Sequence, residues 1–167
     1  MAESRSPILT FLGAAGTVTG SKCMIDTPDR RILVDCGQYQ GRKELRELNR
    51  RGIGVGPASV DAVVLTHAHL DHCGQLPILV RDGFSGPIYC TPGTASLARI
   101  ILPDSGRLAE EEARYANRKG FSKHTPALPL FTEEDANRAL LSLVEVPFGT
   151  EQGGGGWSFQ FGRAGHI

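Results

Sequence analysis

No stretch of this 167-residue chain approaches the roughly 20 consecutive apolar residues needed to cross a bilayer. The opening Met-Ala-Glu-Ser-Arg-Ser-Pro lacks the apolar core of a secretory signal. Net charge is absent too: 18 basic residues balance 18 acidic ones. No global field therefore draws the chain to nucleic acid or to an anionic membrane, and any such binding has to come from a local patch. Cysteine is sparse. Cys23, Cys36, Cys73 and Cys90 include no Cys-x-x-Cys pair, and they are expected to be reduced and partly buried in strands. Internal repeats are missing, and the only low-complexity tract is the glycine run at 153–156. These absences lead to the expectation of a cytoplasmic protein with no membrane partner. Its length suits one domain with a sizeable core.

What the chain does contain is concentrated. Residues 66–74 read Thr-His-Ala-His-Leu-Asp-His-Cys-Gly, directly after the apolar run 60–65. Imidazole and carboxylate are the ligands that zinc-like ions prefer. So many ionisable groups at the end of a buried strand would be costly if left unpaired. In an extended segment alternate residues point the same way, so His67 and His69 can grip one ion from one side. Asp71 and His72 then open a helix and can turn toward a second ion. Helix caps and surface residues would account for a lone histidine at a strand exit, but His-x-His-x-Asp-His reads as a metal site, expected to be binuclear. Cys73 stands beside His72, where the neighbouring residues already supply ligands.

The surrounding pattern is that of alternating strands and helices. Strands are expected at 8–12, 21–26, 31–35, 60–65 and 87–90, with late strands at 144–146 and 157–161 across a flexible glycine run. Helices are expected at 43–51, 73–82, 94–101, 107–119 and from Thr132 to about Leu141, with Thr132 as cap and acids in its first turn. Pro77 must lie in the first turn of its helix, or the helix bends there.

Other motifs carry less. Residues 13–22 superficially suggest a phosphate loop, but Gly-Ser-Lys reverses the required order and a strand follows, so the segment reads as a glycine-permitted tight connection. His124 reads as a surface or helix-packing residue and not as a ligand. Arg42, Lys43, Arg46, Arg50 and Arg51 alternate with Glu44 and Glu47, for which i,i+4 pairing is the simple account. Arg114, Arg118, Lys119 and Lys123, interleaved with Tyr115 and Phe121, form either a solvated helix face or a track for an RNA backbone.

Several motifs taken together resemble the metallo-β-lactamase superfamily and, within it, the β-CASP ribonuclease branch. They are the segment 11–21 ending in Val18-Thr-Gly-Ser21, Leu33-Val-Asp-Cys-Gly37 with Tyr39-Gln-Gly41, the extended run from His67 to Pro77, and Ala164-Gly-His166. The resemblance implies the N-terminal half of an αββα sandwich: a mixed β-sheet in an α/β chain, helices on one face, and apolar residues exposed on the other. It implies that residues 1–167 form the N-terminal part of the domain, ahead of the β-CASP insert. His67, His69 and His166 would bind one Zn2+. Asp71 and His72 would begin a second site, and Asp35 would support the ligands, with Asp71 and Asp35 the catalytic carboxylates. Two ions in the complete domain, and one or none here, would activate water against an RNA phosphodiester. RNA would be the partner of the full-length protein, and a homodimer stays open. Two other readings stand beside this one: a metallo-hydrolase acting on a thioester, lactone or β-lactam, and a non-catalytic metal-binding fragment.

Overall fold

The computed structural model describes residues 6–122 and 124–166. A six-stranded mixed sheet runs in the simple order β1-β2-β3-β4-β5-β6. β1 (Ile8–Gly13), β2 (Lys22–Asp26) and β3 (Arg31–Val34) form an antiparallel meander. β4 (Ala62–Val64), β5 (Ile88–Cys90) and β6 (Leu143–Glu145) then add in parallel. Each parallel step needs a crossover. α1 (Lys43–Leu48) lies in the first, α2 (Leu70–Cys73) and α3 (Leu76–Arg81) in the second, and α4 (Pro92–Lys119) and α5 (Glu133–Leu140) in the third.

Register places Met24, Leu33, Val63 and Ile88 in one cross-strand row, all of them essentially inaccessible to solvent. Leu76 and Leu79 of α3, Ala98 and Leu102 of α4, and Ala136 of α5 close over that row to make the core. The small residues of α4 let the helix lie near the sheet. Gly106 goes further, because a Cβ there would meet the backbone of Thr132 and Glu133 at 2.7 Å. The opposite face carries the row Phe11, Cys23, Val34, Val64, Tyr89 and Val144. Phe11 is 66% exposed.

Three elements differ from the sequence expectation. The two helices expected at 94–101 and 107–119 are one 28-residue helix. Its Thr91 cap accepts from Thr94 N–H, and Gly120, at φ 67°, closes its C-terminus. Pro103 and Gly106 look like breakers, but tertiary packing outweighs the local cost and Gly106 serves helix–helix approach instead. The helix expected at 73–82 breaks at Gly74 and Gln75, leaving Pro77 in the first turn of α3, where its missing N–H costs nothing. The glycine run is a hairpin turn: β7 (Glu151–Gly153) pairs with β8 (Ser158–Gln160) around it. Gly155 and Gly156, at φ 63° and 88°, supply the left-handed backbone that this turn requires. Trp157 and Phe159 lie over Tyr89. Among the described residues, no helix is long and apolar enough to cross a membrane.

Candidate metal centre

The site forms where β3 and β4 end side by side. Asp35 leaves β3 in a left-handed conformation, φ 60°, which turns its carboxylate toward the end of β4. The following loop zips onto α2: Cys36 N–H donates to His72 O at 2.7 Å and Gln38 N–H to Leu70 O at 2.9 Å. Gly37 sits between them, and a Cβ there would lie 1.6 Å from Asp71 O. This is why Asp-Cys-Gly must follow the strand: only glycine lets the loop and the metal-motif helix touch.

The Asp35 carboxylate is 3% exposed as a residue and accepts three close hydrogen bonds. Thr66 donates from its backbone N–H at 2.8 Å and from its hydroxyl at 2.9 Å, and His72 donates from Nδ1 at 2.7 Å. A carboxylate offers only acceptors, so Nδ1 of His72 carries a proton and, in the neutral ring, Nε2 keeps its lone pair. Nε2 is 3.8 Å from Asp71 Oδ2. The hydrogen bond to Asp35 pushes the His72 imidazole above its ordinary pKa, against the opposing effect of burial.

Thr66 sets a second tautomer in the same way. Its single hydroxyl proton goes to Asp35, so the 2.9 Å contact to His67 Nδ1 is an N–H donated by the ring. His67 Nε2 therefore presents a lone pair, 3.0 Å from His69 Nδ1. Ligand atoms of His67, His69 and His166 all lie within 4.8 Å of one another. Burial, and then the neighbouring His72 imidazole, lower the pKa of His67 and favour the neutral, ligating form. A tetrahedral ion with bonds of roughly 2.0–2.1 Å to nitrogen fits a donor set of three such imidazoles.

The structure thus brings together all six residues singled out from sequence at this site: Asp35, His67, His69, Asp71, His72 and His166. Cys73 turns away, its thiol donating to Ala68 O at 3.3 Å in the core. Burial pushes that thiol up to about 12. His124 is exposed. Lys123 lies outside the described residues. Arg114, Arg118 and Lys119 sit in the last turns of α4, on a different element from the histidine cluster.

Sequence reasoning missed the support beneath the site. Lys22 is 2% exposed; its ammonium donates to Gly37 O at 2.8 Å and Gln75 Oε1 at 3.1 Å, and lies 4.4 Å from the centre of the Tyr39 ring. Gln75 in turn donates to Asn49 Oδ1, and Asn49 pairs with both backbone groups of Tyr39. The reversed Gly-Ser-Lys turn thus sends its lysine inward as a brace, and burial lowers its pKa. A lysine at an inward position of a strand was the available signal.

Comparisons with known proteins give the family. A profile described as metallo-β-lactamase superfamily matches residues 20–164. A ribonuclease from Thermus thermophilus is 41% identical over 155 residues, covering 93% of this chain and 32% of that protein. The transcription termination factor FttA of Cenarchaeum symbiosum is 35% identical, covering 88% and 21%. A subclass B3 metallo-β-lactamase from a soil metagenome library shares the fold at a TM-score of 0.50 and 18% identity, covering 92% of this chain and 50% of that one. The chain spans about a third or less of the curated relatives it matches. Profile, sequence relatives and fold agree that the chain belongs to the metallo-β-lactamase superfamily, with relatives in the β-CASP RNA-processing branch that its motifs resemble.

Proposed function

We propose that this chain is the N-terminal part of the metallo-β-lactamase domain of a zinc-dependent ribonuclease. The observation that carries the reading is the convergence of His67, His69 and His166, with two tautomers fixed through Thr66 and Asp35. The ribonuclease and termination factor among the relatives support RNA as the substrate class. His67, His69 and His166 would hold one Zn2+, and Asp71 and His72 would begin a second site. Bound zinc would supply Lewis acidity toward phosphoryl oxygen and an activated water. Asp35 works from behind: it keeps His72 in the tautomer with Nε2 free and, through Thr66, does the same for His67. Asp71, beside His72 Nε2, is placed to orient a nucleophile.

Elemental analysis and RNA turnover test this. Three ligands plus water suffice for one ion, while two rarely hold zinc against solvent. The purified chain should carry one equivalent of zinc, and His67→Ala or His166→Ala should carry almost none. Cleavage of a 5′-labelled single-stranded RNA should be weak. Two equivalents with robust, chelator-sensitive cleavage would show that Asp71 and His72 already complete the second site. Zinc retained by both variants would remove the ligand assignment.

A further inference from the structure

Among the described residues, leaving aside the buried Lys22 and Arg163 near the C-terminal end, the cations fall into two groups. Arg30, Arg31, Arg81, Arg99, Arg107 and Arg138 each make an ion pair. Among the described residues, none of the five basic side chains of 42–51 does, nor do Arg114, Arg118 and Lys119. The i,i+4 pairing expected within α1 is therefore not formed. Three of these unpaired cations, Lys43, Arg46 and Arg50, line one groove, whose far wall is the end of α4 and the loop after it.

The groove encloses about 670 Å³ between the 38–50 segment and the end of α4 with the loop after it. Lys43, Arg46 and Arg50 line one wall; Tyr115 and Phe121 line the other. Glu47 and Glu112 also reach it, leaving the lining net positive. The two aromatic rings stand edge to face at 5.9 Å, 48% and 66% exposed. Arg118 lies 5.6 Å from the Tyr115 ring. The two rings together make a small exposed aromatic patch beside the cationic wall. The walls are tied: Arg50 donates to Leu128 O at 2.8 Å, and Asn117 bonds both backbone groups of Ala127. At its near end Gln38 is hydrogen-bonded to Leu70, the residue before Asp71.

We propose that this groove binds single-stranded RNA, with the unpaired cations of 43–50 on the phosphates and Tyr115 and Phe121 stacking bases. Cations along a backbone track and exposed rings for bases are the two components of single-strand binding, and a duplex keeps its bases from such rings. The choice of RNA rests on the function proposed above; the groove itself does not.

The test is fluorescence anisotropy with a labelled 12-nucleotide RNA in EDTA, which separates binding from cleavage. Lys43→Ala/Arg46→Ala should weaken binding about tenfold and flatten its salt dependence by about two phosphate contacts. Tyr115→Ala/Phe121→Ala should weaken it by a similar factor with the salt dependence kept. All four positions lie on exposed surface, and circular dichroism should show native folding. Arg138→Ala, at an exposed, ion-paired cation outside the groove, should bind as wild type does. Groove variants that bind like wild type, a wild-type chain that binds no RNA, or an equally tight duplex would each overturn the proposal. Groove-dependent binding by a chain whose His67→Ala and His166→Ala variants keep their zinc would uphold the groove and count against the ribonuclease reading instead.

Discussion

The two faces of the central sheet are built from similar residues and have different fates. Met24, Leu33, Val63 and Ile88 lie sealed beneath helices. Phe11, Val34, Val64 and Val144, from the same sheet, are half-buried or exposed. Strand propensity is the same for both, so the difference lies in what packs on each face. A side chain's contribution to stability follows burial and not residue type. The cysteines divide along the same line: Cys36, Cys73 and Cys90 belong to the core, whereas Cys23 stands in the opposite row.

The largest expected effect uses that division. Burial pushes the Cys36 and Cys73 thiols up to about 12 and the Cys90 thiol up to about 11. In the unfolded chain they titrate near about 8.5. Because the folded values are raised, the unfolded state loses its protons first, so stability is full below about pH 8.5 and falls as pH rises toward 11–12. Between pH 8 and 10 urea unfolding should lose on the order of 2 kcal/mol per buried thiol. Cys73→Ala should flatten that slope by about one thiol's share. An unchanged slope in that variant would show that the thiol is not held protonated. Cys23 should be the first thiol to react with a disulfide reagent under native conditions.

Next in size, Leu33→Ala should cost about 2–5 kcal/mol in urea unfolding, since it opens a cavity beneath packed helices. Asp35→Ala follows at about 2–3 kcal/mol, because Thr66 and His72 lose a shared acceptor and a left-handed backbone receives an alanine. Asp35→Asn keeps one acceptor and tolerates that backbone, and should cost about half as much. Equal losses for Ala and Asn would mean that the charge, and not the geometry, holds the site.

The site was more legible than the fold around it, and the reason is locality. His67, His69, Asp71 and His72 are joined by a strand exit and one helical turn, where spacing alone dictates direction. Asp35 and His166 come from distant segments and could be placed only through resemblance to a family. Lys22 shares the inward parity of Met24, but its role as a brace depends on Gln75 and Tyr39, partners that no local pattern connects to it. The helix errors have the same origin. Pro103 and Gly106 are local stop signals, and α5 packing on the Gly106 surface overrules them. The loss of ion pairing in 42–51 was equally invisible, because i,i+4 spacing permits a pair without supplying one.

The smallest expected effect bears hardest on the comparison. Phe11 is large and aromatic, and in the core such a residue replaced by alanine costs about 3–5 kcal/mol. Here 66% of it faces solvent, and its row ends at Val144, 38% exposed. Phe11→Ala should therefore cost less than about 1 kcal/mol, and it should reduce binding of an apolar dye by removing part of an exposed patch. The protein should also sediment as one species of unchanged size. A cost near that of Leu33→Ala would mean that the second face is covered in solution. If sedimentation of the parent chain then depended on concentration and that of the variant did not, the cover would be a second copy of this chain, joined through the row that Phe11 begins.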